Sequence, residues 1–312
     1  MWVKVLGSAA GGGYPQWNCN HPNSRRARAG DPLAPRRTQS SIAVSADGER
    51  WVLFNASPDL RQQINDTPEL HPRHALRESP LKAVVLTNAD VDHVAGLLNL
   101  RESQPLRVYA TGRVLSVLAA NSIFNVLNPT FVSREAMALD VECALADAAG
   151  DSLGFSVVPF AVPGKVALWL EDATRGPNFG SVEEDTVALE VRAAGRTCFF
   201  YIPGCARMTP ALAARLRGAP LVFFDGTLYT DDEMIRDGVG VKTGSRMGHM
   251  SVSGAEGTLA AFADLEVRRR VFIHINTTNP ILIADTPERA AVEAAGWEVA
   301  YDGMTLELTS TR

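Results

Sequence analysis

The stretch that decides the fold is LTNADVDHVAGLLNL, residues 86–100. Its start overlaps the apolar run LKAVVLT, which predicts a buried strand, and it leads into a helical pattern near HVAGLL. Asp90, Asp92 and His93 gather in the turn between the two. Because side chains in such a turn lie exposed over the end of a sheet, the stretch predicts a strand–loop–helix unit that carries a functional site.

The two aspartates have a second interpretation, as groups that cap the helix. A carboxylate near a helix start interacts favourably with the positive end of the helix dipole. This interaction explains the position of one aspartate well and the positions of both aspartates less well. It does not account for His93, since a cationic histidine gains nothing at that end. We therefore favour a site over a cap.

Three further residues follow the same pattern at strand ends or in loops. Asp225 ends the apolar run LVFFDG, and His274 lies near the end of RRVFIHIN. His249 stands in the glycine-flanked loop GHMSVSG, just ahead of a helical pattern. One such residue arises by chance, but together with the first stretch they indicate a shared site.

Apolar runs along the chain predict about a dozen strands, among them VALWLED at residues 166–172. The first three lie within residues 1–55 with no helix between them, which disfavours a single doubly wound parallel sheet. Two sheets packed face to face, with helices on both outer surfaces, satisfy the pattern. No linker divides the chain, so we expect a single domain over residues 1–312.

Several helical patterns begin with a capping residue followed by proline. Ser57 in SPDL, Thr209 in TPAL and Thr286 in TPER are of this kind. A hydroxyl at the cap and proline at the first helical position are strong start signals. We expect a helix directly after each.

Composition narrows the function classes. The chain has 312 residues, 46% of them hydrophobic, and a formal net charge of -5, which disfavours a nucleic-acid surface. No apolar run approaches the roughly 18 residues that cross a bilayer. Its four cysteines lie far apart and form no disulfide framework, so we expect a cytoplasmic protein that binds neither nucleic acid nor membrane.

The N-terminal region holds three weaker signals. GSAAGGGYPQW lacks the spacing of a dinucleotide fingerprint and the lysine of a phosphate-binding loop, so we expect a flexible turn. Cys19 and His21 offer two metal ligands, although a buried thiol beside a loop histidine is the simpler interpretation. Residues 25–37 contain five arginines, which predict a solvated loop ahead of an anion-binding one.

Together these motifs resemble a known family. TNADVDHVAGLLNLRE is similar to the His-x-His-x-Asp-His metal motif of the metallo-β-lactamase superfamily, with Asn88 and Asp90 in the first two histidine positions. With GSAAGGGYPQWNCN, FNASPDLRQQI, FFDGTLYTDDEM, GHMSVSG and FIHINTTNPIL, it resembles the pyrroloquinoline quinone (PQQ) biosynthesis protein B family. The resemblance extends over nearly the whole chain.

The resemblance implies an α+β fold, a four-layer αβ/βα sandwich of the metallo-β-lactamase type in its ribonuclease Z-like branch. That branch has a mid-chain histidine and an aspartate that bridges two metals. The corresponding stretches here, VPGKVALW and YIPGCARM, offer neither residue. With Asn88 in place of the first histidine, one metal position is dismantled, so we expect a mononuclear centre.

Asp92, His93 and His274 remain as metal ligands. Two imidazoles and one carboxylate form the facial arrangement of non-haem iron(II) oxygenases. We expect Asp90 to act as a fourth ligand or as the acceptor that fixes the His93 tautomer.

The resemblance further implies a reaction. The expected enzyme uses Fe(II) and dioxygen to hydroxylate the tyrosine ring of a small diamino acid, the tyrosine–glutamate-derived precursor of PQQ. Asp90, Asp225 and His249 would then be the catalytic residues, with Asp225 and His249 orienting the substrate or moving protons. A homodimer is the oligomeric state that we would test first for this protein.

Two other functions stay open at this point. One is a non-catalytic carrier that transports or releases PQQ or its precursor, with the arginine-rich segment binding the carboxylates. The other, weaker one is a zinc hydrolase. The family also carries Cys-x-Cys-x-x-Cys at a structural zinc site, where this chain has Cys19, His21 and Ser24. Because a neutral serine is a poor zinc ligand, zinc in this N-terminal loop is the less favoured expectation.

Overall fold

The computed structural model describes residues 1–175 and 179–308, and two mixed sheets dominate it. The strands of the first sheet are β1 (Trp2–Gly7), β2 (Ser41–Ser45), β3 (Trp51–Phe54), β4 (Leu81–Val85), β5 (Leu106–Thr111), β6 (Val132–Met137) and β14 (Thr305–Glu307). Those of the second are β7 (Cys143–Ala146), β8 (Ser152–Ala161), β9 (Val187–Ala193), β10 (Arg196–Ile202), β11 (Val222–Asp225), β12 (Arg270–Ile273) and β13 (Trp297–Val299).

Both sheets combine an antiparallel and a parallel half. The first has the order β14-β1-β2-β3-β4-β5-β6 and is parallel from β3 to β6. The second has the order β13-β12-β11-β10-β9-β8-β7 and is parallel from β10 to β13. Since parallel strands bring their carboxyl ends to one edge, ligand sites form in the loops beyond that edge.

Helices occupy the connections. They are α1 (Pro22–Arg28), α2 (Leu60–Asn65), α3 (Val91–Val94), α4 (Gly112–Ala120), α5 (Pro210–Leu216), α6 (Glu233–Arg236), α7 (Gly244–Met247), α8 (Thr258–Ala261) and α9 (Pro287–Ala294). Short 3-10 turns lie at Pro68–Leu70, Ala95–Leu100, Ser122–Val126, Leu168–Leu170, Ala173–Arg175, Glu183–Asp185 and Pro280–Leu282.

Three apolar clusters show how the layers pack. Phe54 of the first sheet meets Phe199 and Tyr201 of the second in the central cluster, with ring centroids 5.8–6.3 Å apart. A second cluster holds residues of the first sheet with α4, and a third holds residues of the second sheet with α5 and α9. Helices therefore cover the outer faces of two sheets that pack on each other. This is the predicted α+β fold, a four-layer αβ/βα sandwich of the metallo-β-lactamase type.

The capping signals are confirmed in two cases and wrong in one. The Thr209 and Thr286 side chains accept hydrogen bonds from the backbone of α5 and α9, and proline opens both helices. The capping role predicted for Ser57 in SPDL is wrong, because α2 begins at Leu60 and its N-cap is Asp59, which makes no side-chain capping bond.

The sequence was misleading at the sheet edges and in one loop. β6, β7 and β13 were not predicted from the sequence, and they lie at sheet edges, where polar side chains are tolerated. The strand predicted for VALWLED is instead a 3-10 turn, and Leu168, Trp169 and Leu170 in it are exposed. The solvated loop predicted for residues 25–37 is only partly correct, because residues 25–28 lie in α1. This helix also lies between β1 and β2, where no helix was expected. Among the described helices, none is long and apolar enough to cross a membrane.

Gly96 controls how closely the segment after β4 approaches the rest of the first half. A Cβ atom at this position would lie 2.1 Å from the backbone oxygen of Ser57, which cannot swing away as a side chain would. We expect Gly96→Ala to lower the free energy of unfolding by about 1–3 kcal/mol or more, as overpacking does. Gly112→Ala is the matched control, since its Cβ would meet only a side-chain oxygen at 3.6 Å. Chemical denaturation of both variants measures the difference, and equal stability would contradict the close approach.

Candidate metal centre

The candidate centre lies beyond the carboxyl ends of β4, β11 and β12. The loop after β4 carries Asp92 and His93, Asp225 ends β11, and His274 directly follows β12. His274 has a left-handed backbone with φ of 59°. Such a conformation costs a non-glycine residue about 1–3 kcal/mol and concentrates at functional sites. The fold therefore holds His274 in a strained conformation at the point where the two sheets meet.

Asp92, His93 and His274 converge on one point. Their ligand atoms all lie within 4.8 Å of one another. His274 Nε2 is 3.0 Å from Asp92 Oδ2, and the two imidazole rings have centroids 5.3 Å apart. His93 Nε2 is buried and has no hydrogen-bond partner among the residues that the structure describes. An orphaned buried nitrogen destabilises a fold unless something binds it, so this atom points to a ligand that the protein alone does not supply.

Asn88 orients His93. The Oδ1 atom of Asn88 accepts a hydrogen bond from the Asp90 backbone N–H at 3.0 Å and lies 2.8 Å from His93 Nδ1. An amide oxygen only accepts, so Nδ1 carries the proton and the lone pair is on Nε2. Burial lowers the pKa of His93 to about 4, which keeps the ring neutral. The tautomer-fixing role expected of Asp90 therefore belongs to Asn88.

Asp90 stands apart from the converging ligands. It lies at the N-cap of α3 without making a side-chain capping bond, so the capping interpretation also fails for it. Its Oδ1 atom accepts a hydrogen bond from the Leu168 backbone N–H at 3.0 Å. Burial raises the pKa of Asp90, partly offset by the charge of Lys165. Asp90 thus ties the loop after β4 to the segment around Leu168.

Asp225 is fully buried and fully used in hydrogen bonds. Its Oδ2 atom accepts from Cys205 N–H at 2.9 Å and lies 2.7 Å from His249 Nδ1. Its Oδ1 atom accepts from the backbone and the hydroxyl of Thr227, at 3.0 and 2.6 Å. Asp225, His249 and His274 form a second group with metal-ligand spacing. Because both oxygens of Asp225 are engaged, its effect is to orient His249.

YIPGCARM itself carries no aspartate, but it lies against one. The Cys205 N–H in this stretch donates to Asp225 at the end of β11.

Thr227 is a residue that sequence reasoning missed. Its hydroxyl donates to the Asp225 carboxylate, the strongest acceptor in reach, and it lies 2.9 Å from His274 Nδ1. It therefore accepts the Nδ1 proton of His274 and turns Nε2 toward Asp92. Burial lowers the pKa of His274, but the hydrogen bond and charge of Asp92 raise it overall. The only sequence signal was its position two residues after Asp225.

The N-terminal residues do not assemble a comparable group. His21 Nδ1 accepts the Asn23 N–H and caps α1, while its Nε2 lies 3.2 Å from Asp237. The Cys19 thiol accepts the His21 N–H. Neither residue belongs to a cluster with metal-ligand spacing in residues 1–175 and 179–308.

The arginine-rich segment is not an anion site. Arg26 pairs with Asp31 and Asp285, and Arg28 donates to backbone carbonyls of residues 16, 17 and 19. Arg37 is buried and donates to the Ala300 carbonyl. These partners engage most of the guanidinium nitrogens. Arg37 Nε lacks a hydrogen-bond partner among the described residues, but Arg37 is buried, so this segment is unsuited to binding a substrate carboxylate.

The loop after His274 is held by a buried carboxyl group. Glu233 accepts the Thr278 hydroxyl at 2.6 Å through one oxygen, and the backbone N–H groups of Tyr229 and Thr230 through the other. Burial raises the pKa of Glu233 from 4.5 to about 7. The charge state of Glu233 is therefore coupled to the stability of this region.

Comparison with known proteins agrees with this geometry. A model of the β-lactamase superfamily domain matches residues 50–275. A coenzyme PQQ synthesis protein B of Gluconacetobacter diazotrophicus is 59% identical over 304 residues, 97% of this chain and 98% of that protein. The chain belongs to the coenzyme PQQ synthesis protein B family.

Solved structures extend the comparison. The zinc-bound PqqB of Methylobacterium extorquens is 54% identical, with a TM-score of 0.93 over 99% of this chain and 100% of that one. Human short-form tRNase Z has a TM-score of 0.60 at 15% identity, over 99% and 100% of the two chains. The second likeness concerns the fold alone and agrees with the ribonuclease Z-like branch.

We expect Thr227→Val to weaken divalent metal binding by about 10- to 100-fold, the usual effect of removing a group that orients a ligand. Valine keeps the shape but cannot accept the Nδ1 proton of His274, so the ring is no longer held with Nε2 among the metal-ligand atoms. Thr227→Ser keeps the hydroxyl and is the control. Metal titration followed by calorimetry gives the affinities. An unchanged affinity in the valine variant would show that Thr227 does not orient a metal ligand.

Glu233 makes stability depend on pH. Because its folded pKa of about 7 lies above the ordinary value of 4.5, the contribution of the protonated group is complete below pH 4.5 and is lost as pH rises through 7. We expect the unfolding free energy of the wild type, relative to Glu233→Gln, to fall by about 3 kcal/mol from pH 4.5 to pH 8. Denaturation at several pH values tests this. The exposed Glu307→Gln variant should show no such trend.

Proposed function

We propose that this protein acts in PQQ biosynthesis as an iron-dependent oxygenase, which hydroxylates the tyrosine ring of the tyrosine–glutamate-derived diamino acid precursor. One oxygen atom of dioxygen enters a ring C–H bond, and the other leaves as water with two protons and two electrons from an external reductant. Family membership supports the pathway. The observation that carries the reaction type is the convergence of Asp92, His93 and His274, with a buried, unpartnered nitrogen on His93.

The donor set fits ferrous iron. Two imidazoles and one carboxylate with open positions are the ligands of non-haem iron(II) oxygenases, and His93 is neutral with its lone pair on Nε2. The metal, when bound, supplies the activation of dioxygen for insertion into the ring. The zinc-bound relative supports a metal in this family, and its metal is the reason to test zinc beside iron.

His249 is the group we assign to proton movement. Its Nδ1–H donates to Asp225, which leaves Nε2 as the basic atom. Its side chain is 19% exposed, whereas that of His274 is 7% exposed, and the two rings stack with centroids 5.2 Å apart. His249 therefore faces the space over the centre, where Nε2 accepts the proton of a ring hydroxyl.

Asp225 supports His249 in this role. Burial alone would raise the pKa of Asp225, but the charge and hydrogen bond of His249, with those of His274 and Thr227, lower it. The carboxylate thus stays ionised and stabilises the imidazolium that forms when His249 takes up a proton, as in other carboxylate–histidine pairs.

The test is dioxygen uptake after anaerobic loading with ferrous iron, in the presence of the tyrosine-derived precursor. We expect iron-dependent uptake and a product heavier by oxygen. His93→Ala should reduce uptake to background, because it removes one of three ligands. His74→Ala is the matched control, since the His74 side chain is 74% exposed and belongs to neither group with metal-ligand spacing.

Other outcomes would favour other functions. Full activity of His93→Ala would show that the metal centre is not required for the reaction. Saturable PQQ binding without dioxygen uptake under any divalent metal would favour the carrier, and zinc-dependent ester or phosphodiester cleavage would favour the hydrolase.

A further inference from the structure

The segment around Lys165 borders the metal centre on one side. The backbone N–H of Leu168 is bonded to Asp90, two residues from Asp92. Lys165 packs against Gly248, the neighbour of His249, so closely that a Cβ on Gly248 would lie 3.3 Å from the lysine Cγ. The segment thus contacts residues next to a metal ligand and next to the proposed proton carrier.

Three cations gather on one carboxylate in this segment. Glu171 lies 3.1 Å from Lys165 Nζ, and its other oxygen lies 3.0 Å from Arg246 Nη2 and 3.9 Å from Lys242 Nζ. Burial raises the pKa of Glu171, but the hydrogen bonds of Arg246 and Lys165 lower it overall, so it is ionised at neutral pH. Even with the Asp90 carboxyl group, which also interacts with the charge of Lys165, the three cations outnumber the two acidic groups beside the centre.

Arg246 has donor capacity that the protein does not use. Its Nη1 atom is buried and has no hydrogen-bond partner in the part of the chain that the structure describes. The guanidinium lies 3.7 Å above the ring of Phe179, which holds its plane in place. A buried guanidinium donor without an acceptor is destabilising, and a ligand oxygen would remove that penalty.

We infer that Lys165, Lys242 and Arg246 form a carboxylate-binding subsite that positions an aromatic polycarboxylate over the metal centre. The inference rests on the proposed function for the identity of the substrate. Arg246 supplies its unpartnered Nη1 as a charged donor to a carboxylate oxygen, and the two lysines supply charge. Glu171 keeps the three cations together in the absence of substrate. The arginine-rich segment at residues 25–37 cannot serve instead, because Arg26 and Arg28 are engaged within the protein and Arg37 is buried, whereas the Arg246 side chain is 35% exposed.

Calorimetry on metal-free protein tests the subsite without any turnover. The probes are PQQ, an aromatic quinone with three carboxylates, and its trimethyl ester, which has the same rings without the charges. We expect PQQ to bind the wild type more tightly than the ester does. Arg246→Leu should weaken PQQ binding by about tenfold or more, the effect of losing one charged hydrogen bond, and leave ester binding unchanged.

Further variants separate the subsite from a folding defect. Arg246→Lys keeps the charge and should lose less affinity than Arg246→Leu does. Lys242→Met alters a residue that is one-third exposed, and it should also weaken PQQ binding and its salt dependence. Arg269→Leu, which breaks an exposed pair with Glu298, is the control and should bind PQQ like the wild type.

The outcomes distinguish this inference from the proposed function. Absent PQQ binding by the wild type, equal binding of PQQ and its ester, or unchanged PQQ binding in Arg246→Leu and Lys242→Met would each overturn the subsite. If the subsite variants lose PQQ binding while the iron-loaded wild type consumes no dioxygen, the subsite stands and the oxygenase fails.

Discussion

The buried carboxylate of Asp225 is the interaction on which the centre depends. It accepts hydrogen bonds from Cys205 after β10, from Thr227 after β11 and from His249 ahead of α8. Through Thr227 it also sets the ring of His274 after β12. An ionised carboxylate is tolerated at zero exposure only when hydrogen bonds replace its water. That requirement draws four separate segments to one point.

The ligands come from both halves of the sandwich. Asp92 and His93 follow a strand of the first sheet, and His274 follows a strand of the second, 182 positions from Asp92 in the chain. Their approach within 4.8 Å therefore depends on the packing of the two sheets, in which Phe54 meets Phe199. Each side also has its own orienting group, Asn88 for His93 and Thr227 for His274, so both imidazoles present Nε2.

The distribution of charge along the sequence was the weakest guide to where an anion could bind. The five arginines at residues 25–37 left an anion site open beside the favoured solvated loop, yet they bond to carboxylates and backbone carbonyls around α1. Arg246, whose Nη1 has no partner among the described residues, is far from Lys165 in sequence, and the two meet at Glu171. A cluster of like charges along the chain is therefore weak evidence for an anion-binding site, since nearby acceptors can neutralise it. The net charge of side chains that meet around one acceptor in the folded structure is stronger evidence.

The sequence by itself determined the two-sheet class, the threonine–proline helix starts and the strand-end positions of Asp92, His93, Asp225, His249 and His274, because periodicity, capping and apolar runs are local properties. Family motifs added the sandwich type. Only the tertiary structure decided which of these side chains touch. In the structure, Asn88 and not Asp90 is the hydrogen-bond partner of His93. Both oxygens of Asp225 accept hydrogen bonds, and Thr227 orients His274. Such hydrogen bonds join residues whose spacing in the chain carries no signal, so they follow from packing and burial alone.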